Sequence, residues 1–501
     1  MTRLVTFLSA KKPFLLIASG LLAVLGFAPF GIYPLTVLAL AVLFALWARA
    51  RSPREAAGMG FQFGFGLFAA GIGWIYVALH DYGDMNFLLA LLATGLFAAF
   101  LALFPALAGY AQAKISGGRH LHVLLAMPAC WVLTEWLRGL IFTGFPWLVF
   151  GYSQAAASPL AGYAPLLGVY GVSLGVALSA GVVALFFRWR RWDNLGRLAL
   201  GAFLLLWVAG AALRSIEWTQ PQGAPLEVSL LQGNVPQEMK FDEGRLVGTL
   251  ERYRRMIDLS DARLIVLPET ALPLLRHELP ESYIDRVREH ARANNGDVLI
   301  GAFERDENRR YYNSVFTLGE AKSQSYRKNH LVPFGEFIPL RPVLGWFIND
   351  VLNIPMGDLA SGGPSQPPLR VAGQKVAVDI CYEDVFGEEI IRALPQATLL
   401  VNVSNDAWYG HSNAAIQHDQ IAQMRALETG RMMLRATNTG VTSVIGVDGR
   451  VQQRLPQHEQ ATLTAEVQGY TGSTPYVRFG NSLVLALLAL MLALTWRGRG
   501  R

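Results

Sequence analysis

The sequence predicts a multi-pass α-helical membrane domain of about eight spans joined to an α/β domain, and three observations carry that prediction. Charged residues make up only 16% of the chain and apolar residues 52%, against about 25% charged in an ordinary soluble domain. The deficit is uneven: residues 1–214 are mostly long apolar stretches, whereas 217–475 have the mixed composition of a soluble domain. In that second region almost wholly apolar strand-like runs alternate with helical patterns, as in sheets buried beneath helical layers.

A helix needs about 20 mainly apolar residues to cross a bilayer. Candidates lie near 13–30, 33–48, 57–79, 87–111, 121–137, 166–187 and 198–214, with an eighth at 480–496. Charge placement orients them. With the N terminus in the cytoplasm, the inside segments carry fifteen Lys and Arg residues, from Arg3 to Arg501, while the short outside loops carry Arg138 and little else. That asymmetry follows the positive-inside tendency. It divides the chain into a membrane domain, 1–216, an outer-face domain, 217–475, and a C-terminal span and cytoplasmic tail, 476–501. The net charge of +6 therefore reflects topology rather than nucleic-acid binding. Lys11-Lys12 before the first apolar run imitates a signal peptide, but another apolar segment follows directly, so an uncleaved anchor is expected.

In the outer region, Trp218–Pro225 reads as a linker, its Pro and Gly breaking regular structure. Strand-like runs follow at 227–232, 263–267, 297–302, 312–318, 374–380, 397–403 and 442–447. Helical patterns occupy 244–260, 280–294 and 414–435. Residues 339–368 combine an apolar stretch containing Trp346 and Phe347 with a Gly/Ser/Pro-rich tail. This is either a core helix with a surface loop or an apolar lid dipping toward the bilayer.

Three short segments carry chemistry, two of them closing the strand-like runs 263–267 and 374–380. Leu267-Pro268-Glu269, Tyr326-Arg327-Lys328 and Ile380-Cys381-Tyr382-Glu383 supply a carboxylate, an amine and a thiol. A thiol is a weak nucleophile until it loses its proton, so a reactive cysteine needs a base or a cation beside it. Glu269, approached by Leu264-Ile265-Val266-Leu267 and so partly buried, is a candidate base. Lys328 is a candidate partner for a thiolate or an oxyanion, and the backbone N–H after Cys381 is a further donor. Glu336 and Glu383 stand near enough in sequence to orient Lys328 or move protons. The other cysteine, Cys130, falls in the fifth span, which argues against a bridge to Cys381. Taken singly, each residue has an ordinary alternative. Glu269 can start a helix, Lys328 can be a solvated charge, and Cys381 can be a small buried hydrophobe. His330, His411 and His418 lack metal-ligand spacing and read as surface or core residues.

The order Leu-Pro-Glu, Tyr-x-Lys-x-x-Leu-Val-Pro-Phe-Gly-Glu and Ile-Cys-Tyr-Glu resembles the nitrilase superfamily. Within it, the chain is most similar to the bacterial apolipoprotein N-acyltransferase family. Gln232–Gln237, Ser404–Gly410, Arg435–Thr442, Gly26–Phe30 and Thr143–Trp147 extend that resemblance over nearly the whole chain. It implies a nitrilase-like αββα sandwich with Glu269 as general base, Lys328 as thiolate and oxyanion stabiliser, and Cys381 as nucleophile. Glu336, Tyr382 and Glu383 would support them, and Phe241, Trp346 and Phe347 would contact substrate. Phe241 stands where the family commonly has Trp.

The resemblance further implies an acyl transfer in two steps. Cys381 takes the sn-1 acyl chain of a phospholipid such as phosphatidylethanolamine. It then passes that chain to the α-amine of a diacylglyceryl-cysteine apolipoprotein. The thioester stores the acyl group, so neither metal nor organic cofactor is needed. The expected setting is the bacterial inner membrane, with the catalytic domain periplasmic, both termini cytoplasmic and the protein monomeric. The spans and residues 339–368 would wall a lateral portal for acyl chains. Three rivals compete: a membrane-tethered amidase passing acyl groups to water, a transporter with a regulatory domain, and a non-catalytic lipoprotein-binding scaffold. Few intramembrane charges, Glu135 being a rare exception, argue against the transporter.

Overall fold

The computed structural model describes residues 12–115, 121–186, 194–237, 243–338 and 358–497. The chain packs as two units: one of residues 1–76, 86–216 and 479–501, the other of 77–85 and 217–478.

The first unit is helical. A helix lies in each of the eight apolar windows, at Lys12–Val24, Pro34–Trp47, Pro53–Gly71 with Trp74–His80, Phe87–Lys114, Met127–Arg138, Ala164–Phe186, Asn194–Leu213 and Ser482–Arg497. Among the described residues, three helices are long and apolar enough to cross a membrane, and the pair Pro53–Gly71 and Trp74–His80, bent by 56°, makes a fourth. The helices at Lys12–Val24, Pro34–Trp47 and Ser482–Trp496 are shorter but apolar. Along Phe87–Lys114, Leu88, Leu92 and Leu96 are exposed by 57–70%. A leucine-rich face of that kind suits lipid rather than water.

Close helix approach depends on small residues, as expected where packing rather than hydrophobicity joins helices. A Cβ on Gly60 would lie 2.2 Å from the carbonyl oxygen of Pro105, and one on Gly109 would lie 2.4 Å from that of Ala56. Glu135 is buried, accepting from the Phe150 N–H at 2.9 Å and from the Ser173 hydroxyl. Arg138 corrects an expectation. It is not an exposed loop charge but the buried last residue of Met127–Arg138, donating to the carbonyls of Phe145 and Trp147 at 2.5 and 2.6 Å. A guanidinium there supplies the following loop with donors that lipid cannot.

The second unit is an αββα sandwich. Its first sheet contains β1 (Thr219–Gln232), β2 (Leu264–Val266), β3 (Leu272–Leu275), β4 (Asp297–Arg305), β5 (Tyr311–Gly319) and β6 (Ser325–Arg327). The second sheet contains β7 (Leu369–Val371), β8 (Gln374–Ile380), β9 (Leu399–Ser404), β10 (Met433–Thr437), β11 (Ser443–Ile445) and β12 (Val451–Arg454). The last strand, β13 (Ala461–Gly472), returns to the first sheet. The orders are β13-β1-β2-β4-β5-β6, with β3 on β4, and β12-β11-β10-β9-β8-β7. The pairs β1-β2-β4 and β8-β9-β10 run parallel.

Alternation along each strand builds the layers. Ile265, Val298, Ile300 and Phe316 face the helices Glu243–Asp258 and Glu281–Ala293 through Tyr253, Ile257 and Val287. The residues between them, such as Leu264, Val266 and Leu299, are equally buried on the face where β1 packs against β10 and β13 against β9. Ala377, Leu400 and Met433 meet Ala422 and Ala426 of the helix Ala414–Thr429 on the far side. Each such fully buried Leu or Ile contributes about 2 kcal/mol.

Two boundaries differ from the sequence reading. The Pro/Gly segment 218–225 is not a linker: Thr219–Gln222 pair with Gly469–Gly472, and only the register shift between Gln222 and Leu226 interrupts the ladder. Prolines are tolerated at such irregularities. The third helix stops at Thr429 rather than 435, because Gly430 takes a left-handed cap at φ 62° and donates its N–H to Ala426. Met433–Thr437 then form a parallel strand beside β9.

Candidate active site

The candidate residues collect where strands end. Glu269 follows β2, Lys328 follows β6, Cys381 follows β8, and Asn405 follows β9. In open α/β sheets the carboxyl ends of parallel strands are where ligands usually bind, because the backbone leaves the ladder there and its polar groups need other partners.

Glu269 is 7% exposed and held from two sides. Its Oε1 accepts from Asn313 Nδ2 at 2.7 Å, and its Oε2 accepts from the Asn405 backbone N–H at 2.8 Å. No helix follows it, so the helix-start reading fails. Lys328 is 1% exposed, which disposes of the solvated-charge reading. Its Nζ lies 2.9 Å from Glu336 Oε1 and 3.6 Å from Glu269 Oε1. Burial opposes the ammonium charge, but Glu336, Glu269 and Cys381 hold its pKa above the ordinary lysine value. Glu336 accepts in turn from Asn313 Nδ2 at 3.2 Å and the Val332 N–H at 2.8 Å. Asn313 thus bridges both carboxylates.

Cys381 opens a short 3₁₀ turn after β8 with φ 56°, a left-handed conformation for a side chain-bearing residue. Thr270 and Phe334, neighbours in sequence of Glu269 and Glu336, also have positive φ. Such backbone costs of order 1–3 kcal/mol each and persists where surroundings over-determine it. Both cysteines are free and buried. Burial first, then the Glu269 carboxylate, pushes the Cys381 thiol well above its usual range, while Lys328 and a hydrogen bond with Ser404 pull it back. Glu269 and Lys328 thus both lie within electrostatic reach of the sulfur.

Glu383 and Tyr382 play different parts. Glu383 Oε1 accepts from the N–H groups of Asn329 and His330 at 2.6 and 3.0 Å, and its Oε2 from Ile380 N–H at 2.7 Å. Tyr326 Oη donates to both oxygens at 3.0 Å. The carboxyl thus ties the backbone after Lys328 to the backbone before Cys381. Burial lifts its pKa to about 7, against the pull of those N–H groups. Tyr382 packs edge-on against His330 and Phe386, at 6.0 and 5.3 Å between ring centres. Phe241, Trp346 and Phe347, and residues 339–357 of the anticipated lid, lie outside the described residues.

At the Cys381 carbonyl lies a buried polar layer, and it includes His418, which the sequence reads only as a surface or core residue. His418 bridges Asp384 Oδ1 at 2.7 Å and Asp406 Oδ1 at 3.2 Å, and Arg435 reaches Asp384 Oδ2, Asp406 Oδ2 and Asn402 Oδ1 at 2.9–3.3 Å. All are at most 2% exposed. Buried charges persist only when paired in this way. The available signal was polar residues inside apolar strands: Asn313 in Tyr-Tyr-Asn-Ser-Val-Phe and Asn402 in Leu-Val-Asn-Val. Among the described residues, no group of three or more His, Cys, Asp or Glu is arranged to hold a metal ion.

Known proteins resemble both units. Residues 19–182 match the family model described as the apolipoprotein N-acyltransferase N-terminal domain, and residues 227–476 match carbon-nitrogen hydrolase. The chain is 55% identical over 480 residues to an apolipoprotein N-acyltransferase of Nitrosomonas europaea, covering 95% of each chain. It is 44% identical over 499 residues to that of Methylococcus capsulatus, covering 98% of this chain and 97% of the other. Over 491 residues it is 46% identical to that of Ralstonia nicotianae, covering 96% and 92%.

Proposed function

The chain belongs to the apolipoprotein N-acyltransferase family, acyltransferases with a carbon-nitrogen hydrolase domain, and we propose that Cys381 carries the acyl group it transfers. The observation that carries this reading is the buried cluster itself: a buried thiol on a left-handed turn, within electrostatic reach of Glu269 and Lys328.

In the proposed first half, Glu269 takes the Sγ proton as the sulfur attacks the sn-1 ester carbonyl of a phospholipid. Lys328 and the Tyr382 backbone N–H receive the developing oxyanion. Collapse breaks the bond from carbon to the glycerol oxygen, and Glu269 returns its proton to that oxygen. Lysophospholipid leaves and a thioester remains on Cys381. In the second half, the α-amine of a diacylglyceryl-cysteine apolipoprotein attacks the thioester carbonyl. The C–N bond forms, the C–S bond breaks, and an amine proton passes through Glu269 to the departing sulfur. The thiol is restored and the product is an N-acylated lipoprotein.

Asn313 and Asn405 hold the two oxygens of Glu269, and Glu336 holds Lys328. The 2.9 Å Lys328–Glu336 pair keeps the ammonium charged despite full burial. Both substrates are lipid-anchored, which gives a membrane domain its purpose. The division at 1–216, 217–475 and 476–501, the periplasmic placing of the second of these, the cytoplasmic termini and a monomeric state belong to the same proposal.

Incubating the purified protein with phosphatidylethanolamine and a diacylglyceryl-cysteine peptide tests it. Equal amounts of lysophospholipid and N-acylated peptide are expected. Free fatty acid without N-acylated peptide would identify a hydrolase instead.

A further inference from the structure

His418 belongs to no step above, yet it touches the nucleophile's backbone. Its Nε2 lies 3.2 Å from the Cys381 carbonyl oxygen, and Asn402 Nδ2 lies 3.1 Å from the same atom. The Cys381 carbonyl and the Tyr382 N–H share one planar trans peptide, so they point in opposite directions. Whatever fixes the carbonyl therefore fixes the direction of that N–H.

We infer that His418, with Asn402, is a positioning residue that aims the Tyr382 backbone N–H at the oxyanion by holding the Cys381 carbonyl from behind. The inference rests on the proposed acyl transfer at Cys381 and adds a group to it. The support is built for rigidity. The imidazole is held at Nδ1 by Asp406, and its single Nε2–H is shared between Asp384 Oδ1 at 2.7 Å and the Cys381 carbonyl at 3.2 Å. Both carboxylates are held by Arg435, which also donates to Asn402 Oδ1 at 2.9 Å. One guanidinium thus anchors both donors to the Cys381 oxygen. The left-handed φ of 56° at Cys381 is a conformation that needs such external support.

A group that only packs the core would affect every property of the thiol. A group that aims an oxyanion donor would affect only reactions passing through an oxyanion. Full-length His418→Asn and His418→Gln in detergent micelles separate the two. Each is assayed for acyl transfer from phosphatidylethanolamine and for Cys381 alkylation by iodoacetamide, a displacement that forms no oxyanion. His418→Asn should lower kcat by about 10- to 100-fold, somewhat less than removing an oxyanion donor outright. KM for the phospholipid and the alkylation rate should stay within about twofold, as for a contact felt only in the transition state. His418→Gln, whose longer amide can reach the same oxygen, should lose less. Should His418→Asn not fold, Asn402→Ala, which removes the other donor, must show the same split.

Wild-type kcat in the folded variant, or alkylation falling in step with acyl transfer, overturns the inference. The reading it rests on fails separately: Cys381→Ala would then still transfer acyl groups, whereas an inactive Cys381→Ala beside a fully active His418→Asn removes only the role of His418.

Discussion

Glu269 Oε2 accepts the backbone N–H of Asn405 at 2.8 Å, so a single hydrogen bond joins the end of β2 in one sheet to the end of β9 in the other. The same carboxylate takes the Asn313 amide at 2.7 Å on its second oxygen. Glu269→Gln keeps an acceptor for one of these contacts and keeps the size of the side chain, but it cannot accept a proton. The variant should fold and lose acyl transfer by about 10²- to 10⁴-fold, the usual worth of a general base. Lysophospholipid release measures it.

Lys328→Met keeps much of the apolar stem while removing the charge. It leaves Glu269 and Glu336 buried without their shared cation, so the protein should be less stable by several kcal/mol, the usual result of breaking a buried pair. It should also form no thioester. Acylation at the wild-type rate would remove Lys328 from the site.

Stability should depend on pH through His418. Burial and the Arg435 charge oppose its protonation, but Asp384 and Asp406 outweigh them and raise its pKa from 6.5 to about 9. Asp419, paired with Ser443, stands near the same network. A group that binds its proton more tightly when folded stabilises the fold fully below the unfolded pKa and loses that contribution as pH rises through the folded value. The contribution is of order 3 kcal/mol, present below about pH 6.5 and lost toward pH 9 and above. Unfolding midpoints of the wild type should fall across that range, and the slope should flatten in His418→Gln. Identical slopes would show that His418 does not titrate there.

Gly430 makes a prediction remote from the chemistry. Its φ of 62° is left-handed, and a Cβ there would lie 2.6 Å from Thr219 Cγ2 on β1. Gly430→Ala should destabilise the protein by about 1–3 kcal/mol through strain and overpacking, measured as a lower unfolding midpoint, with activity per folded molecule unchanged.

These residues also show what a sequence can and cannot disclose. Glu269 and Cys381 each close an apolar run, Lys328 stands in the motif Tyr-Arg-Lys-Asn-His-Leu-Val-Pro-Phe-Gly-Glu, and the strand runs at 374–380 and 297–302 were legible from apolar content alone. Strand β10 was not, because Leu427 through Arg435 keep helical composition and only the left-handed Gly430 stops the helix. The pairing of Thr219–Gln222 with β13 was hidden because its partners lie some 250 residues away, beyond any local signal. His418 and Arg435 went unread as a unit for the same reason. Two charges on different elements become one network only when the fold buries them together.

The most direct test of the account is mass spectrometry of the purified protein after incubation with phosphatidylethanolamine alone, without acceptor. The account predicts one fatty acyl adduct on Cys381, released by the diacylglyceryl-cysteine peptide and absent from Cys381→Ser incubated in the same way. An unmodified Cys381 in a preparation that demonstrably transfers acyl groups would contradict it.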